Sequence, residues 1–212
     1  MPDPSPTLLP HPLTAAWRHG LSIVNLRGGS DDAAFVAGAT QALGLALPLL
    51  PCSTQAGGQD AHNTYSTHSA HSADSIDRSG PSGAVERIVW AGPDEWFIVA
   101  AAGSAGAIEE ALRASLPGIH HAVTDVSCGY SMLHLSGQPV RDVLAQGCPL
   151  DLHPRAFGVG RSAGSHFFKA SILLWQTDGA PRYELLVRRS FTGYVQLMLQ
   201  RCTLECGLAL GP

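Results

Sequence analysis

The chain has 212 residues, enough for one large domain or two small packed ones with a self-sufficient core. A net charge of −4, with no Lys/Arg cluster beyond Arg188-Arg189, excludes the electrostatic footprint of a nucleic-acid binder, and no apolar run approaches the ~18 residues that a membrane span needs. Only 14% of the residues are charged, against about 25% in a typical soluble chain, which reads either as a surface partly covered by a partner or as a Ser/Gly/Ala-rich compositional bias.

The first residues, MPDPSPTLLPHPL, are proline-rich and lack a basic start followed by an apolar stretch. They read as an extended arm over residues 1–14 rather than a secretory leader. LSIVNLRGG (21–29) predicts a strand. Ser30 with Asp31 and Asp32 predicts a helix start, a cap followed by first-turn acids. Phe35, Ala39 and Leu43 recur at four-residue spacing, and Gly44 ends the helix. LALPLLP (45–51) leads out of it. Residues 53–84 are rich in Ser, Gly, His and Ala and nearly free of large apolar side chains. Such a stretch cannot offset its ordering entropy, so a flexible insertion within the domain is expected.

RIVWAGPDEWFIVAA (87–101) predicts a hairpin about Gly92-Pro93-Asp94. Ser104 opens a helix with Ile108, Ala111 and Leu112 on one face and Glu109–Arg113 as an i,i+4 pair; Pro117-Gly118 stops it. HHAVTDVS (120–127) and YSMLHLSG (130–137) are two further strands. Pro139 starts a helix from a first-turn position, with Val140, Val143 and Leu144 inward. SHFFKASILLWQTD (165–178) reads as one long run, followed by an Asp178-Gly179 turn. In RYELLVRR (182–189), Tyr183, Leu185 and Val187 share a face. Ser190 caps a final helix with Val195, Met198, Cys202 and Cys206 inward, closed by Gly207.

The order β-α-β-β-α-β followed by β-α-β-β-α is an internal repeat. Gly44, Leu47, Leu49 and Pro51 fall in the pattern G-x-x-L-x-L-x-P, and so do Gly147, Leu150, Leu152 and Pro154. The fold class expected is α+β: two tandem split-βαβ (ferredoxin-like) halves packed together, with mixed sheets and helices on one face. Residues 15–207 form a single domain in this reading, built of pseudo-repeats at about 15–127 and 128–207 with the insertion at 53–84.

In GCPLDLHP (147–154), Cys148 precedes His153 by five residues with Asp151 between, which invites a nucleophile and its base or half a metal site. The first half has LGLALPLLP at the equivalent place, without Cys or His. The segment therefore reads as a helix stop leading into a strand, with Leu150 and Leu152 inward. His62, His68 and His71 with Asp60 and Asp74 are poorly preorganised for a metal. His120 and His121 point to opposite faces of a strand, so at most one meets Asp125. Cys202 and Cys206 share a helix face but lack two further ligands. The five cysteines, Cys52, Cys128, Cys148, Cys202 and Cys206, are scattered without C-x-x-C, as free thiols in a reducing cytoplasm would be. A thiol enzyme using Cys148 or Cys128 lacks an evident activating cation. LRGGSDD (26–32) is no dinucleotide fingerprint, and no phosphate-binding loop, H-E-x-x-H or G-x-S-x-G is present. Trp90, Trp96 and Trp175 read as core or interface anchors. Trp96 and Trp175, together with Arg188 and Arg189, are the candidate subunit-interface residues. No catalytic, cofactor-binding or metal residue is assigned.

DVS-x-x-Y-x-x-L-x-L-S-G (125–137), RDVLAQGCPLDLHPRAF (141–157), LLWQTD (173–178) and YELLVRRSF (183–191), with GPDEWFIVA (92–100), together resemble the gamma subunit of heterotetrameric sarcosine oxidase. The likeness extends over residues 84–207, more loosely over 15–51, and omits 53–83. It implies a small accessory subunit beside alpha, beta and delta chains, with a fold similar to part of the folate-binding aminomethyltransferase family. That family's complex oxidises sarcosine with oxygen to glycine, hydrogen peroxide and formaldehyde or 5,10-methylenetetrahydrofolate. FAD, FMN, NAD, tetrahydrofolate and zinc are implied for the partner subunits and none for this chain. A stand-alone folate-binding or one-carbon-transferring module is the alternative.

Overall fold

The computed structural model describes residues 12–57 and 84–211. Its elements are, in order, β1 (Leu13–Arg18), β2 (Ser22–Gly28), α1 (Ala33–Leu43), β3 (Thr54–Ala56), β4 (Val85–Gly92), β5 (Glu95–Ala100), α2 (Ala105–Ser115), β6 (His121–Asp125), β7 (Tyr130–Ser136), α3 (Val140–Ala145), β8 (Ser162–Phe167), β9 (Ala170–Asp178), β10 (Arg182–Arg188), α4 (Thr192–Cys202) and β11 (Leu208–Leu210). They divide into two compact units, residues 20–128 and residues 129–212 with 1–19. The chain is α+β, with two sheets and helices on one face of each.

In the 20–128 unit the strand order is β3-β4-β5-β2-β6. Every pairing is antiparallel. β2 and β4 flank β5, and β5 and β6 flank β2, so two split βαβ crossovers interleave. This corrects the expectation of a mixed sheet here: the parallel partners are never neighbours. Asp32, not Ser30, caps α1. Its backbone is extended (φ −84, ψ 104) and its carboxylate accepts from the Ala34 and Phe35 amides. Gly44 ends the helix at φ 67, a left-handed position that glycine takes without strain. Phe35, Ala39 and Leu43 from α1 and Ile108 and Leu112 from α2 meet Val24, Leu26, Ile88, Trp96 and Ile98 from the sheet. Each Val, Leu, Ile or Phe among them contributes roughly 1.5–3 kcal/mol on full burial. Ser104 precedes α2 but makes no side-chain cap; Ser22 Oγ of β2 accepts the Ser104 and Ala105 amides instead. Residues 54–56, read in the sequence as part of the insertion, are the edge strand β3 on β4. Residues 58–83 of that stretch lie outside the described residues.

The second unit repeats the first element for element: β7-α3-β8-β9-β10-α4-β11 matches β2-α1-β3-β4-β5-α2-β6. Its sheet runs β11-β1-β7-β10-β9-β8. The difference is β1, inserted between β7 and β11, where the first unit pairs β2 with β6 directly. The β1–β11 pair is parallel. Leu13 and Thr14, read as part of an arm, are strand residues, and β1 pairs in the second unit's sheet although the sequence placed residues 15–18 with the first half.

Two further differences are local. The long run 165–178 is a hairpin: Phe167 pairs with Ala170 across a two-residue turn, Phe168-Lys169. The turn carries no Gly, Pro, Asn or Asp; Phe168 itself takes the left-handed conformation, φ 52. Ser190 does not cap α4. Arg189–Phe191 is a 3₁₀ turn, and Thr192 Oγ1 donates to Arg189 O at 3.0 Å. Residues 148–161 carry no strand, so α3 leads into an irregular segment, with Leu152 buried and Leu150 packed against the core.

Candidate functional site

The residues nominated for an interface separate by burial. Trp96 is 0% exposed; it packs on Phe35 with ring centroids 5.8 Å apart and donates its indole N–H to Pro48 O at 2.9 Å. Trp175 is 1% exposed. Neither offers surface to a partner; both serve the interior of the chain. Arg188 and Arg189 are exposed, at the end of β10. The Arg188 guanidinium lies over the Tyr130 ring, 5.0 Å from its centroid.

The residues nominated for chemistry serve turns and packing. Cys148 is buried, with Sγ 3.6 Å from Ser165 Oγ. The His153 amide donates to Asp151 Oδ1 at 2.9 Å, and His153 Nδ1 accepts from the Arg155 amide at 3.2 Å. Cys148 and His153 thus have separate partners. Asp125 Oδ1 accepts from the Ser127 amide and hydroxyl, and His121 Nδ1 meets Ile119 O at 2.8 Å, so neither histidine engages Asp125. Cys202 is buried, whereas Cys206 lies beyond α4, half-buried. Burial pushes the Cys202 thiol up, and the neighbouring Cys206 adds to this. Among the described residues no three of His, Cys, Asp and Glu gather as metal ligands. No described helix is long and apolar enough to cross a membrane. The 60–74 histidine cluster lies outside the described residues.

Sequence reasoning missed a buried polar row in the second unit. Strand register aligns Ala16, His134, Glu184, Trp175 and Ser162 across β1, β7, β10, β9 and β8. Arg18 Nη1 reaches both Glu184 oxygens at 3.4 Å, and His134 Nδ1 lies 3.6 Å from Oε1. Glu184 and His134 are each 7% exposed, and the Trp175 indole N–H finds no acceptor among the described residues. The row penalises strand slippage, because a shift of one residue turns Glu184 into the apolar helix side. The available signal was small: an acid between two apolar residues in YELLV, and a histidine between two leucines in LHL.

A shallow groove of about 400 Å³ also lies in the second unit. Gly147, Cys148 and Pro149 after α3 form one side, His166, Phe168 and Lys169 at the β8–β9 turn another, and Tyr194 of α4 the third. The Phe168 amide donates to Gly147 O at 2.8 Å. A Cβ on Gly147 would stand 2.4 Å from the Phe168 ring, so only a glycine leaves that ring its place.

Residues 79–205, from just before β4 to just past α4, match the model of the sarcosine oxidase gamma subunit family. The chain belongs to that family. Among its relatives are the sarcosine oxidase gamma subunits of Arthrobacter sp., 42% identical over 113 residues, and of Corynebacterium sp. (strain P-1), 41% identical over 113. Each match covers 52% of this chain and 54% of the relative, so it spans about half the length of the curated gamma subunits. The fold is that of a chain in the heterotetrameric sarcosine oxidase of Corynebacterium sp. U-96, with a TM-score of 0.73 at 24% identity over 94% of this chain and 88% of the other. Part of glycine cleavage system aminomethyltransferase T from Bartonella henselae also has this fold, with a TM-score of 0.60 at 12% identity over 93% of this chain and 47% of the other. The sequence motifs that resembled the gamma subunit lie within or beside the matched region.

Proposed function

We propose that this gamma-family chain is a non-catalytic subunit of a heterotetrameric sarcosine oxidase, contributing fold and contact surface to a complex of alpha, beta and delta partners. The family match over residues 79–205 carries this reading. The geometry supports it: Cys148, His153, Asp125 and His121 each have structural partners, and Glu184 of the buried row above is held by Arg18. The reaction assigned to the complex is sarcosine plus oxygen to glycine, hydrogen peroxide and formaldehyde, or 5,10-methylenetetrahydrofolate when folate is present. FAD, FMN, NAD, tetrahydrofolate and zinc then belong to partner chains, and the complex to the cytoplasm. The experiment is co-expression of the full chain with the three other subunits from the same organism, followed by size exclusion and a peroxide assay. The chain is expected to co-elute with them and to show no sarcosine-dependent peroxide alone. Turnover by the isolated chain, or its failure to join the complex, defeats the reading.

The aminomethyltransferase fold likeness favours a second reading, a module that binds folate by itself. Equilibrium dialysis of the isolated chain with tetrahydrofolate separates the two; micromolar binding supports the second.

A further inference from the structure

We infer that the groove bounded by the end of α3, the β8–β9 turn and α4 is the docking site for an acidic, apolar segment of a partner subunit. The inference rests on the subunit reading above. Phe168, Pro149 and Tyr194 supply apolar walls, and none of the lining residues is a carboxylate. Phe191, an exposed aromatic residue, extends the rim: its ring meets that of Tyr194 edge-on at 6.3 Å.

The cation at the rim is singular. Lys169 is the only lysine in the sequence. It is exposed and makes no ion pair among the described residues, whereas Arg18, Arg27, Arg113 and Arg182 each face a carboxylate. An ammonium beside half-buried aromatic rings suits a carboxylate carried next to an apolar side chain.

The turn that presents this cation is strained. A two-residue hairpin turn with a left-handed first position ordinarily carries glycine. Here Phe168 holds that position at φ 52, packed edge-on against Phe167 at 5.0 Å and fitted over the bare Gly147. Non-glycine residues in this region are uncommon and gather at binding sites. The ring stays half-buried on the groove wall, where a partner's side chain completes its burial.

Charge selects the class of occupant. The unit that carries the groove has nine basic and six acidic residues, and the other unit four and eleven. A two-fold pairing of this groove with the same groove of a second copy would bring Lys169 against a surface of its own sign, whereas an acidic segment is attracted.

A chain with one ε-amine permits a clean footprint on the wild-type protein. The lone chain and the assembled complex are treated with an amine-acetylating reagent, and the Lys169 peptide is read by mass spectrometry. Lys169 is expected to be acetylated in the lone chain and protected in the complex. In co-expression, Lys169→Glu and Phe168→Gly are each expected to weaken assembly about tenfold or more. The second substitution keeps the turn, because glycine adopts positive φ freely. Added salt weakens the wild-type contact more than that of Lys169→Glu. Equal acetylation in the complex, or full assembly by both variants, overturns the groove while leaving the subunit reading intact. Failure of the wild-type chain to assemble overturns both. A reversible dimer of the lone chain that shields Lys169 overturns the groove's assignment to a partner subunit.

Discussion

Trp96 shows what burial does to a tempting residue. Its ring is enclosed on every side and its one polar atom is satisfied by Pro48 O, so its contribution is stability. Trp96→Ala is expected to cost about 3–5 kcal/mol in urea unfolding. Glu184 is the counterpart among charges. Glu184→Ala leaves Arg18 and His134 facing a lost carboxylate, with an expected cost of about 2–4 kcal/mol, lower than for a sealed pair because Arg18 is partly exposed. Glu184→Gln, which keeps shape and one acceptor, is expected to recover part of that loss. Thiols should react in order of access: Cys128 first with a thiol-disulfide reagent, Cys148 and Cys202 only on unfolding. The Cys202 thiol, raised by burial, keeps its proton longer in the folded chain than in the unfolded one. Its contribution is complete below the ordinary value of 9.0 and declines as pH rises through it, so stability falls in that window and falls less in Cys202→Ala. The aromatic and aliphatic core was legible at this scale because burial follows residue type. The Arg18–Glu184 pair was not: its partners are 166 residues apart.

At the scale of elements, local rules located the helices and central strands well and their caps poorly. Asp32→Ala is expected to cost about 1 kcal/mol, because the carboxylate accepts two first-turn amides, whereas Ser104→Ala should change little, since Ser22 caps α2 from another strand. Nothing beside Ser104 in the sequence signals that substitution of roles. The G-x-x-L-x-L-x-P echo is similarly partial. Leu47 and Leu152 are buried, Leu150 is half-buried and Leu49 is exposed; Gly44 caps its helix in the left-handed conformation while Gly147 makes room for Phe168. Gly147→Ala therefore drives a methyl into an aromatic ring and is expected to destabilise by about 1–3 kcal/mol. Combining it with Phe168→Gly should restore most of the loss, a coupling that thermal unfolding of the double variant checks.

At the scale of the whole chain, the element order repeats and one strand breaks the repeat. β1 enters the second unit's sheet between β7 and β11, far from both in sequence. Its Leu13 and Ala15 join that unit's core. A chain lacking residues 1–18 is expected to lose the cooperative unfolding of the second unit, seen by hydrogen exchange as loss of protection in β7 and β11. The same scale shows the charge imbalance between the units, invisible in the net −4 of the chain because the two contributions oppose.

Composition, alternation and turn chemistry by themselves determined the α+β class, the tandem repeat, most of the apolar core and, through motifs spread over the second half, the family. Each depends on residues close together in the chain or on a pattern repeated along it. Only the tertiary structure decided that β1 serves the distant sheet, that Ser22 caps α2, that a phenylalanine turns the β8–β9 hairpin, and that one row of that sheet buries a paired carboxylate. These depend on which strands lie side by side, and strand order is set by long-range pairing that no local spacing encodes.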